Sequence, residues 1–153
     1  LKKKGWEITE ENIIKGLLNT IKNTGIIGRW QILSQNPTII CDTAHNADGI
    51  KEVLKQLKQT PYNNLHLVFG TVNDKDINRI LDLLPKEAIY YFCKADTSRS
   101  LDENTLKEIA SKKQIKGNAY SSVNKALFSA KKNAHKNDLI FVGGSTFVVA
   151  EIV

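Results

Sequence analysis

Apolar residues recur along this chain with two periods. Over residues 9–23, Ile13, Ile14, Leu17, Leu18 and Ile21 follow the spacing of an amphipathic helix, with Thr9 placed as its N-cap. Thr24-Gly25-Ile26-Ile27-Gly28 then reads as a linker. Beyond it, short β-branched and aromatic runs alternate with helical stripes. Strands are predicted over 30–33 and 38–41, around a Gln35-Asn36-Pro37 turn, and over 65–70, 88–93, 118–120 and 139–142. Helices are predicted over 47–59, with Ile50, Val53, Leu54 and Leu57 inward, over 75–84 up to Pro85, and over 102–112 and 122–136. A last apolar helix follows Gly143-Gly144-Ser145-Thr146. The alternation predicts an α/β, Rossmann-like fold: a mostly parallel sheet of about six strands with helices on both faces. Right-handed crossovers then gather the loops that follow the strands at one edge.

Composition alters that picture little. The 153 residues suffice for one domain with a full core, and 41% hydrophobic with 25% charged residues is ordinary for a globular chain. No apolar run approaches the roughly 20 residues of a membrane-spanning helix, so no membrane partner is expected. The net charge of +6 is spread over scattered lysines, such as Lys51, Lys55 and Lys58 on one predicted helix, without arginine or aromatic clustering. These are read as solvated faces, and no nucleic-acid partner is expected. Cys41 and Cys93 stand singly in strand-like runs, which points to buried free thiols and a reducing, cytoplasmic setting. The three histidines are dispersed, so there is no local metal motif. The chain contains no methionine and is expected to be a stretch of a longer polypeptide.

The polar residues at the predicted strand ends carry more. Asp42-Thr43-Ala44-His45-Asn46 follows the second strand. A carboxylate there suits a ribose diol, and it equally suits a turn cap, with Asn46 as N-cap of the next helix. His45 stands at a helix start where packing gives it no evident role. Asp74-Lys75-Asp76 suits a helix N-terminus, which favours acids, while Lys75 has the reach for a phosphate or an acidic substrate. Arg99, in Asp96-Thr97-Ser98-Arg99-Ser100, is placed at the same edge or in a capped turn. Gly143-Gly144-Ser145 permits close backbone approach to an anion at Gly144, or a tight turn with a capping serine. It is neither a dinucleotide fingerprint nor a P-loop. Arg29, beside Trp30, offers a fork of donors to phosphate or stacks on the indole.

Taken in order, Lys15-Gly16-Leu17, Gly28-Arg29, Asp42-Thr43-Ala44-His45-Asn46, Phe69-Gly70 with Asp74-Lys75-Asp76, and Gly143-Gly144-Ser145 give the chain its resemblance. It resembles the C-terminal part of the folylpolyglutamate synthase/dihydrofolate synthase family, within the Mur ligase superfamily. The resemblance implies that residues 1–27 are the tail of a central ATP-binding domain and its hinge, and residues 28–153 the C-terminal, glutamate ligase domain. It implies an ATP-dependent, Mg²⁺-assisted ligase that activates a folate or dihydropteroate carboxylate as an acyl phosphate and joins it to L-glutamate. On this resemblance Arg29 and Asp42 face ATP, and Asp42 holds the ribose. His45, Asn46 and Ser145 lie on the glutamate side, with Lys75, Arg99 and Gly144 as further candidates. No catalytic residue or metal ligand is assigned within the chain, which lacks the P-loop and is expected to be inactive without the preceding domain. Ile27 and Thr43 depart from the family pattern, which has proline and glycine there. Thr43 requires a backbone that avoids the conformations reserved for glycine. A peptidoglycan-type Mur ligase is the competing expectation within the superfamily, and a non-catalytic nucleotide-binding α/β module the one outside it.

Overall fold

A computed structural model describes residues 2–73 and 76–153. Its centre is a six-stranded sheet ordered β1-β2-β6-β3-β4-β5. The strands are β1 (Gln31–Gln35), β2 (Thr38–Asp42), β3 (Leu65–Phe69), β4 (Ile89–Cys93), β5 (Gly117–Tyr120) and β6 (Leu139–Gly143). Only β1 runs antiparallel, pairing with β2 along the edge. β2–β6, β6–β3, β3–β4 and β4–β5 are parallel. The predicted α/β, mostly parallel architecture is the one observed.

The helices cover both faces because their buried stripes match those of the strands. α1 (Glu10–Leu18) and α2 (Thr20–Thr24) precede the sheet. α3 (Ala47–Gln59), α4 (Ile77–Leu81) and α5 (Glu103–Lys112) supply Ile50, Val53, Leu57, Ile80, Leu81 and Leu106 to one core, against Leu67, Phe69, Tyr90 and Phe92 of the strands. α6 (Val123–Asn133) and α7 (Thr146–Ala150) supply Val123, Ala126, Leu127 and Val148 to the other, against Cys41, Val68, Tyr91 and Val142. Each fully buried aliphatic side chain contributes about 2 kcal/mol of transfer free energy. The alternation along β3 shows the division: Leu67 and Phe69 face the first core, Val68 the second. Both Cys41 and Cys93 are buried free thiols. No helix among the described residues is long and apolar enough to cross a membrane.

Four predicted elements are corrected. The helix expected over 9–23 breaks at Asn19, whose side-chain amide donates to the Lys15 carbonyl at 2.8 Å and shares that carbonyl with its own backbone N–H at 3.1 Å. Thr9 is its N-cap, with Asn12 completing a reciprocal capping box. β1 starts at Gln31 rather than Trp30, because Trp30 has φ 42°. The helix expected over 75–84 is confined to Ile77–Leu81, capped by Asp76. The i+3 bonds Leu83 N–H to Ile80 and Leu84 N–H to Leu81 then tighten the chain ahead of Pro85. Asp74 and Lys75 lie outside the described residues. The helix expected over 122–136 ends at Asn133, since Asp138 captures the His135 N–H at 2.8 Å and turns the chain into β6.

Candidate functional site

Connections out of β2 and β3 lead to helices on one face, and the connection out of β6 between them leads to α7 on the other. A crevice therefore opens at the carboxyl ends of these three strands, the place where open α/β sheets take ligands. The register levels it: Asp42 and Phe69 both stand opposite Gly143.

Asp42 ties two loops together. Its Oδ2 accepts the Trp30 N–H and its Oδ1 accepts the Ala44 N–H, both at 2.7 Å, and the residue is 8% exposed. The Thr43 N–H donates to the Gly28 carbonyl at 2.9 Å, so the segment before β1 is clasped to the end of β2. Gly28 is required there: its φ is +72°, and a Cβ would come 2.9 Å from Val149 Cγ1. The clasp holds Trp30 in its left-handed conformation and sets Arg29, which is exposed, at the rim of the crevice. Among the described residues the cation–π contact is made by Arg99, 5.8 Å from the centroid of Phe147, and not by Arg29 on Trp30. Thr43 lies outside the left-handed region, where the non-glycine residues described are Trp30 and Gln114.

The turn reading of Asp42 is thus realised, and it leaves function open, since each carboxylate oxygen keeps a further lone pair. Asn46 is the N-cap of α3, its Oδ1 accepting the Gly49 N–H at 2.7 Å. Ser145, 4% exposed, caps α7 by accepting the Phe147 N–H at 3.2 Å and keeps its hydroxyl proton to donate. Gly144 has φ +95°, and a Cβ would lie 2.6 Å from the Gly70 carbonyl, so only glycine lets the β6–α7 turn pass the end of β3. His45 Nδ1 lies 3.0 Å from the Thr43 carbonyl oxygen. That oxygen only accepts, so the bond places the ring proton on Nδ1.

Two clefts meet at His45. One, about 330 Å³, runs along α3 and is lined by Arg29, Asp42, His45, Asn46, Glu52 and Gln56. The other, about 250 Å³, is lined by His45, Val72, Arg99, Ser145, Thr146 and Phe147. Every predicted site residue that is described falls on this edge; Lys75 lies outside the described residues. Glu52 and Gln56 went unread in the sequence, although they continue the helical row that begins at Asn46 and Gly49. A wider hollow of about 490 Å³ lies at the opposite edge, beside Asn36, Tyr62 and Lys136. It is a concavity between loops, remote from the strand ends where the charged and hydroxyl groups converge, and we assign it no role. Burial and the neighbouring Asp42 charge push the Cys41 thiol up to about 11, so it is a packing group beside the crevice and not a nucleophile. Among the described residues no group of three or more His, Cys, Asp or Glu side chains is arranged to hold a metal.

The model of the glutamate ligase domain of Mur ligases matches residues 28–146. The chain belongs to the Mur ligase family. The chain is 35% identical over 148 residues to a Haloferax volcanii protein named probable bifunctional folylpolyglutamate synthase/dihydropteroate synthase, covering 95% of the chain and 17% of that protein. It superimposes on Escherichia coli FolC in complex with DHPP and ADP with a TM-score of 0.84 at 29% identity, over 97% of the chain and 34% of FolC. A bifunctional folylpolyglutamate synthase/dihydrofolate synthase with Mn, AMPPNP and L-glutamate bound gives 0.82 at 26% identity, over 96% of the chain and 34% of that protein. The chain thus spans about a third or less of the length of the proteins it matches.

Proposed function

We propose that this chain is the C-terminal part of a cytoplasmic, ATP-dependent ligase that joins L-glutamate to folate or dihydropteroate through an acyl phosphate. The carrying observation is the meeting of two clefts at His45, one holding Arg29 and Asp42, the other Ser145 and Arg99. A nucleotide and an amino acid are the two ligands such a reaction must bring together. ATP fits the first cleft: Asp42 has lone pairs left for ribose hydroxyls, and Arg29 at the rim supplies the charge that phosphates require. L-Glutamate fits the second, where the Ser145 hydroxyl and the Arg99 guanidinium suit carboxylates. Mg²⁺, which neutralises phosphate charge in such a transfer, finds no ligand cluster among the described residues; on this reading it is held by the rest of the protein.

Residues 1–27 belong, on the same reading, to the tail of the preceding domain and the hinge. No residue of α1 or α2 is buried, and Leu17, Leu18 and Ile21 are 71%, 80% and 62% exposed. A helix with an apolar stripe facing solvent is covered by something else in the complete protein, and the family match begins only at Gly28.

The test is ADP release by the full-length protein bearing this chain, supplied with ATP, Mg²⁺, L-glutamate and either folate or dihydropteroate. Release that depends on both glutamate and a pterin is expected, and Ser145→Ala is expected to raise the KM for glutamate about 10-fold, the value of one lost hydrogen bond to a charged group. Failure of every pterin to support turnover would remove the reading.

A further inference from the structure

L-Glutamate must lose a proton before it can react. An amino acid at neutral pH arrives as an ammonium, which has no lone pair with which to attack. We infer that His45 Nε2 accepts this proton, an inference that rests on the proposed ligase reading.

The backbone fixes the orientation of the ring. Thr43 is 8% exposed, its N–H is bound to the Gly28 carbonyl, and the next N–H, of Ala44, is bound to Asp42. The Thr43 carbonyl is therefore a fixed acceptor, and it takes the His45 Nδ1–H at 3.0 Å. In the neutral ring the proton on Nδ1 leaves Nε2 with a bare lone pair. Among the described residues Nε2 makes no hydrogen bond. The backbone thus does for this imidazole what a carboxylate does in an acid–imidazole pair: it fixes the tautomer and the direction of the basic nitrogen. That ring lines both clefts, the nucleotide side and the side with Ser145 and Arg99, so it stands at the seam where amine and acyl phosphate meet. His45 is only half-buried, which gives an acquired proton an exit to solvent.

In the step itself, an N–H bond of the ammonium breaks and an Nε2–H bond forms. The freed amine lone pair attacks the acyl carbon, and the carbon–oxygen bond to phosphorus breaks. Phosphate leaves with that electron pair and with a second proton from the amine, as HPO₄²⁻. The His45 proton passes to water, and the ring returns to its starting tautomer.

The test compares two nucleophiles in the full-length protein. Hydroxylamine is uncharged near neutral pH and traps an acyl phosphate as a hydroxamate without needing a base. His45→Asn keeps a side-chain N–H for the Thr43 carbonyl but has no acceptor at the Nε2 position; His45→Ala serves as the second variant. The expected result is a kcat with saturating L-glutamate lowered about 100-fold, as for loss of a general base, with the KM for glutamate little changed and hydroxamate formation retained. Equal loss with both nucleophiles would overturn the proposal, because His45 would then serve the acyl phosphate or the fold. A raised KM with kcat retained would overturn it in favour of a binding role. Absence of hydroxamate from the unaltered protein would remove the acyl phosphate, and the ligase reading with it.

Discussion

Two acid–imidazole sets sit at opposite edges of one sheet, and they are finished differently. At the amino ends of the strands, Asp138 and His66 are each 1% exposed in their side chains, and every polar atom has a partner. Asp138 accepts the Asn64 N–H and side-chain amide at 3.0 Å, the His135 N–H at 2.8 Å and His66 Nε2–H at 3.3 Å. The carboxylate fixes the His66 proton on Nε2, so Nδ1 takes the Tyr91 hydroxyl proton at 3.0 Å, and Tyr91 in turn accepts from Asn133 at 3.2 Å. The chain of donors runs from Asn133 through Tyr91 and His66 and ends on Asp138, joining β3, β4, the start of β6 and the end of α6. At the carboxyl ends, each Asp42 oxygen and His45 Nδ1 hold one backbone partner apiece, His45 Nε2 holds none among the described residues, and both side chains line a cleft. The same residue types make a strut where the network closes and a site where it is left open.

The largest effect that would sharpen this contrast is at the strut. Asp138→Asn replaces an acceptor with a donor among groups that all donate, leaving buried N–H groups unpaired. The full chain is expected to lose about 3 kcal/mol of stability, read as a lowered midpoint in urea, while activity per folded molecule is kept. Next comes Arg29→Ala, expected to lower kcat about 10-fold or more through one lost charged contact to phosphate, with stability unchanged because the side chain is exposed. Unaltered turnover in that variant would leave the rim arginine without a role.

The smallest effect is the pH dependence of the strut. Burial pushes the Asp138 carboxyl up, but the bonds from His135, Asn64 and His66 outweigh it and hold it below the usual carboxylate range. A depressed folded value means that its stabilisation is complete above the unfolded value of about 3.9 and is lost as pH falls through the folded one. Urea midpoints measured downward from pH 5 should therefore fall more steeply in the unaltered chain than in Asp138→Asn. Parallel slopes would show that this carboxylate does not carry the acid sensitivity.

How much of this was legible in the sequence follows from range. Patterns within one helix or strand were readable: the stripe Ile50, Val53, Leu57 gave α3 with the observed ends, and Asn46 stands at its start as the expected N-cap. The alternation of elements gave the mostly parallel sheet, but the position of β6 between β2 and β3 depends on a crossover that no local pattern records. The break at Asn19 was hidden because a side chain competing for a backbone carbonyl looks, in sequence, like one more polar helix position. Asp42 and His45 were legible as candidates from their place after a strand. The distant partners were not: the Trp30 N–H is 12 residues from Asp42, and the strut around Asp138 joins residues 74 apart. Open and closed networks differ only in such long-range partners, so the sequence left the two readings of Asp42 level.

The most direct measurement is the KM for ATP of the full-length protein carrying Asp42→Ala, set beside the same measurement on Asp138→Asn. With Asp42 on the nucleotide ribose, Asp42→Ala raises the KM for ATP about 10-fold and more than it raises the KM for glutamate, while Asp138→Asn leaves both where they were. An unchanged KM for ATP in Asp42→Ala would make this carboxylate a second strut and contradict the account.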